Sequence, residues 1–88
     1  MYKIIYSRAA IKDINKLKAA HLDEKARSLI DIIRKNPWQT PPYYEKLSGD
    51  LDGLYSRRIN IQHRLVYEVF EDLNVIIKII SLWTHYER

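Results

Sequence analysis

The spacing of apolar residues changes near residue 37, and the change divides the chain into a helical part and an extended part. Before that point, apolar residues recur every three or four positions along residues 10–17 and 26–33, a spacing typical of amphipathic helices. Ser7 lies where the N-cap of the first helix is expected, and Asn36-Pro37 is expected to end the second. Because few residues separate the two helices, they are predicted to form an antiparallel hairpin.

The remaining segments favour strands. Short runs rich in β-formers predict four strands, at residues 2–6, 54–59, 63–70 and 75–83, and residues 45–47 are a candidate for the opening of a further strand. Residues 38–44 lie among three prolines and are expected to form an extended linker. Residues 75–80 are apolar at nearly every position, so the last strand is expected to be central and covered on both faces. The order β-α-α-β-β-β predicts an α+β fold in which an antiparallel meander packs by one face on the helical hairpin.

Composition limits the classes of function. With 47% hydrophobic and 30% charged residues, the 88-residue chain is expected to fold as a single domain over residues 1–88. It has no cysteine, and its three histidines are too scattered for a zinc motif, so neither a metal nor another cofactor is expected. No apolar run approaches the roughly 20 residues of a membrane span, and the N-terminus does not resemble a signal peptide, so we expect a cytoplasmic protein without a membrane partner.

The net charge of +4 favours a polyanionic partner, either nucleic acid or an acidic protein segment. A basic surface without a specific partner is the alternative. The arginines of the two strands predicted at residues 54–59 and 63–70 help to decide between these alternatives. If residues 60–62 form a short loop, Arg58 and Arg64 lie opposite each other on one face, while Ile59 and Leu65 face the core.

Like charges directly across a strand pair are destabilising unless an anion bridges them, so this register predicts a phosphate or carboxylate site. Two alternatives stay open. Both arginines could splay into solvent on an edge strand, or a loop longer or shorter by one residue would separate them.

Three motifs in the C-terminal half are specific in combination: Ser-Arg-Arg-Ile at 56–59, His-Arg-Leu-Val-Tyr at 63–67, and His-Tyr at 85–86, with Glu45 upstream. Together they resemble the YoeB branch of the RelE/ParE superfamily, the toxins of bacterial toxin–antitoxin pairs. The resemblance covers the whole chain in length and element order, and implies a RelE-like sandwich of the microbial-ribonuclease type.

The resemblance further implies a ribosome-dependent endonuclease of messenger RNA, neutralised by a YefM-like antitoxin with an acidic C-terminal segment. Carried over by position, the general base, the phosphate clamp and the general acid are Glu45, Arg64 and His85. Further contacts to RNA or phosphate are expected from Arg58, Tyr86, Lys46 and Arg57. The chain departs from the family pattern at Ser48, where the family has a lysine, and in the two residues that follow Tyr86.

This chemistry is consistent with the residue types. Metal-independent RNA cleavage uses the 2′-hydroxyl as an internal nucleophile, which requires a base for its proton and an acid for the leaving 5′-oxygen. Each contributes about 10²–10⁴-fold, and a fixed guanidinium stabilises charge on the phosphate oxygens. The need for a 2′-hydroxyl predicts RNA rather than DNA as substrate.

Each candidate also has a structural interpretation. Glu45 could be a solvated surface carboxylate, His85 an exposed residue near a chain end, and Arg57 a side chain whose stem covers apolar surface. His63, Trp38 and Trp83 are expected to pack, whereas Tyr43 and Tyr44 are candidates for an antitoxin or homodimer contact.

Two other classes of function remain. The first is a ParE-like toxin that binds a protein such as DNA gyrase, a branch that lacks the Glu, Arg and His-Tyr set. The second is a regulatory binding module without activity.

Overall fold

The structure is a computed structural model that describes residues 1–72 and 75–85. Residue 85 is described for its backbone only. Within these ranges two helices and five strands follow in the order β1 (Lys3–Tyr6), α1 (Arg8–Ala19), α2 (Asp23–Lys35), β2 (Tyr44–Lys46), β3 (Leu54–Arg58), β4 (His63–Phe70) and β5 (Ile76–His85). A 3₁₀ turn at Gly49–Leu51 joins β2 to β3. None of the helices in the described ranges is long and apolar enough to cross a membrane.

The helix boundaries follow local hydrogen bonds. The Ser7 hydroxyl accepts a hydrogen bond from the Ala10 amide at 3.0 Å, which confirms the predicted N-cap of α1. The same hydroxyl donates to the Ile80 carbonyl at 2.6 Å and so links the start of α1 to β5. Helix α2 ends at Lys35, because Asn36 already has extended backbone angles before Pro37.

The strands form one mixed sheet in the order β1-β5-β4-β3-β2. Strand β1 runs parallel to β5, and the remaining neighbours are antiparallel. This arrangement confirms the predicted α+β class, and β2 extends the meander by a short strand at its edge.

Both helices pack on one face of the sheet, called here the helix-covered face. The buried residues that meet there are Ala10, Leu17, Ala26, Leu29, Ile30 and Ile33 from the helices, and Ile59, Leu65, Tyr67, Ile77, Ile79 and Leu82 from the sheet side. The opposite side is called the open face, and it carries Glu45, Ser56, Arg58 and Arg64.

Strand β5 is central, as predicted, since it lies between β1 and β4. The expectation that it is covered on both faces is wrong. Ile77 and Ile79 are fully buried, but Ile76, Lys78 and Ile80 are only half-buried. The reason is that the helices pack on one face, so an apolar side chain on the other face does not gain the same cover.

Candidate active site on the open face

The loop between β3 and β4 determines which arginines face each other. The Asn60 side-chain oxygen accepts hydrogen bonds from the amides of Gln62 at 2.9 Å and His63 at 2.7 Å, and so closes a tight connection. The resulting register pairs Arg58 with Arg64, as predicted from a loop over residues 60–62. The shifted register that would separate the two arginines is therefore not adopted.

Glu45 joins these arginines from β2. It pairs with Ser56, and because side chains alternate along a strand, Glu45 and Ser56 project to the same face as Arg58. Glu45 Oε1 lies 3.8 Å from Arg64 Nη1, so the ion pair reaches over β3 from one neighbouring strand to the other. The structure thus brings together the predicted base and the predicted phosphate clamp.

The exposure of the two partners shows how tightly the pair is held. The Arg64 side chain is 16% exposed and the Glu45 side chain 43% exposed. A partly solvated ion pair of this kind contributes about 0–1 kcal/mol to stability.

A cleft of about 380 Å³ opens on this face, lined by Pro42, Tyr43, Glu45, Ser56 and Arg58. It combines a carboxylate, a guanidinium and a hydroxyl with the ring of Tyr43, which is 74% exposed. Sequence reasoning did not select Ser56. The sequence does contain a signal for Ser56. It lies two residues before Arg58 on the same predicted strand, and this spacing puts both side chains on one face.

Arg57 lies on the helix-covered face and is only 1% exposed. Its Nη1 donates to the Pro42 carbonyl at 2.7 Å, its Nη2 to the Pro37 carbonyl at 2.9 Å, and its Nε to the Tyr67 hydroxyl at 3.2 Å. The structure does not bring Arg57 to the cleft with Glu45 and Arg58, because its guanidinium is buried and all three nitrogens donate to groups of the protein.

Lys46 is exposed but turned away from the cleft. It pairs with Tyr55, which packs against the core, so alternation directs Lys46 to the side opposite Glu45. The structure does not bring Lys46 together with Glu45, Arg58 and Arg64.

The end of β5 lies beside the same strand as Arg64. The backbone register pairs Thr84 with Arg64 and His85 with His63. For His85, the predicted general acid, only this backbone pairing is described, because its side chain lies outside the described residues. Tyr86 lies outside them entirely.

The residues expected to pack do so. His63 is 6% exposed and stacks on Trp83, with ring centroids 3.9 Å apart. Trp38 contacts Tyr44 and Tyr55 at centroid distances of 6.0 and 4.8 Å. Tyr44 therefore belongs to an internal aromatic cluster, whereas Tyr43 faces the cleft.

Tyr67 completes the surroundings of Arg57. Burial raises the pKa of the Tyr67 hydroxyl above its ordinary value of 10.0, although the nearby Arg57 guanidinium acts in the opposite direction. The hydroxyl is therefore neutral at physiological pH. It can donate to the Pro37 carbonyl at 2.9 Å while it accepts from Arg57.

The fold is shared with solved structures of small bacterial toxins. The YoeB/ParE toxin from Agrobacterium tumefaciens superposes with a TM-score of 0.85 at 29% identity, over 96% of this chain and 99% of that one. A family model described as the YoeB-like toxin of bacterial type II toxin-antitoxin systems matches residues 6–86. The chain belongs to this family.

Individual YoeB toxins are also similar to this chain. The chain is 42% identical to Toxin YoeB of Synechocystis over 60 residues, which span 68% of this chain and 66% of that protein, or just under two thirds of its length. YoeB of Staphylococcus aureus was solved in complex with YefM, with a TM-score of 0.78 at 37% identity over 98% of this chain and 99% of that one. It was also solved as a dimer, with a TM-score of 0.79 at 38% identity over 97% and 98% of the two chains.

Proposed function

We propose that this protein is the toxin of a type II toxin–antitoxin pair and that it stops translation by cutting messenger RNA on the ribosome without a metal. The observation that supports this most is the Glu45–Arg64 pair at 3.8 Å, on the same face as Arg58. Phosphodiester cleavage by an internal hydroxyl needs a base for the proton of that hydroxyl, and a fixed guanidinium close to the base can stabilise the charge that builds on the phosphate.

In the proposed reaction Glu45 removes the proton of a 2′-hydroxyl, and the 2′-oxygen attacks the adjacent phosphorus. The bond from phosphorus to the 5′-oxygen breaks, and His85 supplies the proton that this oxygen takes up. The products are a 2′,3′-cyclic phosphate and a free 5′-hydroxyl. Arg64, supported by Arg58 and Tyr86, stabilises the negative charge that builds on the phosphate oxygens.

The proposed partners are an antitoxin and a second copy of the toxin. The S. aureus structures support both, since that relative was solved with YefM and as a dimer. The basic arginine face would receive an acidic antitoxin segment that folds on contact. Ribosomes and message are the proposed targets, with the protein acting in the cytoplasm and residues 1–88 acting as one domain.

Expression of the toxin without its antitoxin tests the class of activity. We expect growth to stop because translation stops, and co-expression of the antitoxin to restore both. Growth arrest with DNA breaks and continued translation would instead support a gyrase-directed toxin.

The chemistry is tested with purified ribosomes that hold a defined message. Cleavage should occur without added metal beyond what the ribosomes require, and the upstream fragment should end in a 2′,3′-cyclic phosphate. A message with a single 2′-deoxynucleotide at the cut site is the matched control. It should bind equally and stay intact, and cutting of this message would contradict attack by the 2′-hydroxyl.

A further inference from the structure

Arg57 is a buried charge that the proposed chemistry does not use. It is 1% exposed, and its three guanidinium nitrogens donate to two backbone carbonyls and one tyrosine hydroxyl. Within the described residues, no carboxylate is among these partners. Burial of a charge is expensive unless its partners are well placed, so the arrangement needs a reason beyond filling the core.

Two of the three hydrogen-bond partners of Arg57 belong to the linker that precedes β2. The guanidinium binds the carbonyls of Pro37 and Pro42 and so fixes both ends of this linker at once. The Tyr67 hydroxyl donates to the Pro37 carbonyl as well, at 2.9 Å. Arg57 also lies 5.0 Å from the ring centroid of Tyr44, within the range of a cation–π interaction.

These anchors matter because β2 is weakly held by the sheet. It is only three residues long and occupies the edge next to β3. Glu45 is its middle residue. Arg57 contacts the Pro42 carbonyl, three residues before Glu45, and the ring of Tyr44, one residue before it. Tyr44 pairs with Arg57 and so lies on the helix-covered side of the strand.

We infer that Arg57 is a positioning residue for Glu45: it fixes the linker and Tyr44 from the covered side of the sheet, so that the Glu45 carboxylate is held beside Arg64 on the open side. This inference rests on the proposed function, in which Glu45 is the base. The adjacent residues Arg57 and Arg58 then serve one reaction from opposite faces.

The inference makes a specific kinetic prediction. Arg58 and Arg64 lie on β3 and β4, which pair with each other directly and not through the linker. Loss of the Arg57 contacts should therefore leave the KM for ribosome-bound message nearly unchanged. It should lower kcat about 10–100-fold, the scale on which misplacement of a catalytic group by about 1 Å acts.

The test is a double-mutant cycle between Arg57→Lys and Glu45→Gln, measured as single-turnover cleavage of ribosome-bound message. Lysine keeps the charge but cannot bind two carbonyls with a planar fork. We expect Arg57→Lys to slow cleavage about 10–100-fold when residue 45 is Glu, and by less than about 2-fold when Glu45→Gln is already present.

Two further variants serve as a second test of the network and as a control. Tyr67→Phe removes one hydroxyl of the same network while it keeps the ring, and it should give a smaller loss with the same dependence on Glu45. If a thermal melt shows that Arg57→Lys is unfolded, Tyr67→Phe takes its place in the double-mutant cycle. Arg27→Lys, at an exposed position of α2, should change neither rate in either background.

The outcomes separate the two proposals. Equal losses with and without Glu45→Gln, or no loss in either background, would overturn the positioning role while the proposed function stands. If Glu45→Gln alone cuts as fast as the parent, Glu45 is not the base, and the proposed mechanism falls together with the inference.

Discussion

The two faces of strands β3 and β4 differ in what their residues do, although they share one backbone. On the helix-covered face Ile59, Leu65 and Tyr67 are fully buried. On the open face Arg58 and Arg64 face each other, and Glu45 reaches them from β2. Because neighbouring residues alternate between the faces, the same two strands present a mostly apolar set on the covered side and the charged groups of the candidate site on the other.

The pair Arg57 and Arg58 shows this most clearly. The two have the same side chain, but Arg57 is buried with its donors directed at the protein, while Arg58 is exposed beside the cleft. Residue type alone therefore does not indicate the surroundings of a side chain at these positions, whereas the face of the strand does.

The largest expected effect on stability lies on the helix-covered face. Leu65→Ala should lower the free energy of unfolding by about 2–5 kcal/mol, because it removes a fully buried side chain and leaves a cavity. Chemical denaturation measures the loss. Ile61→Ala is the matched control, since Ile61 is 81% exposed in the hairpin loop, and it should change stability by less than about 0.5 kcal/mol. Equal effects of the two variants would contradict the assignment of the covered face.

A smaller loss is expected where α1 is fastened to β5. Ser7→Ala removes both the N-cap to Ala10 and the hydrogen bond to Ile80, and should lower stability by about 1–2 kcal/mol. Ser28→Ala is a suitable comparison, because its hydroxyl donates to the Glu24 carbonyl on an exposed helix surface. A thermal melt should distinguish the two variants, and identical melting temperatures would argue against this link between helix and sheet.

On the open face, substitution of an arginine should leave stability nearly unchanged. Arg58→Ala removes an exposed side chain and its repulsion with Arg64, so the change should stay within about 0.5 kcal/mol. Binding to single-stranded RNA should weaken, with the slope against the logarithm of salt concentration reduced by about 0.7 if one phosphate contact is lost. Arg27→Ala on α2 should keep the parent slope. An unchanged slope for Arg58→Ala would show that Arg58 does not contact a phosphate of the bound RNA.

The smallest expected effect is a dependence of stability on alkaline pH. Because burial raises the pKa of Tyr67 in the folded state above its ordinary value of 10.0, the folded protein holds this proton more tightly than the unfolded chain does. The stabilisation is complete below pH 10 and is lost as pH rises through the folded pKa. Tyr67→Phe should therefore lose less stability between pH 9 and pH 11 than the parent, as followed by denaturant titration at each pH.

Local patterns predicted much of the fold. The Ser7 cap, the end of α2 before Pro37 and the pairing of Arg58 with Arg64 each depend on residues close together in sequence. The loop at residues 60–62 fixed the last of these through Asn60, whose side chain closes the turn.

Contacts between distant residues were harder to predict. The partners of Arg57 lie 15 and 20 residues away in an irregular linker, and nothing in the local pattern indicates that two carbonyls converge there. The run of isoleucines in β5 likewise predicted cover on both faces, because composition does not show that the helices pack on one side. Glu45 was found through the resemblance rather than through a local signal, since an isolated carboxylate after a proline-rich linker has no characteristic spacing.

The central claim is that the open face performs cleavage and contributes little to folding, and Arg64→Ala tests it most directly. Cleavage of ribosome-bound message should fall at least about 10²-fold, while the melting temperature stays within a few degrees of the parent, because the partly exposed pair with Glu45 contributes only about 0–1 kcal/mol. Glu45→Gln and His85→Ala should behave in the same direction. An Arg64→Ala protein that melts like the parent and cuts equally fast would remove Arg64 from the mechanism, and one that unfolds would return it to a structural role.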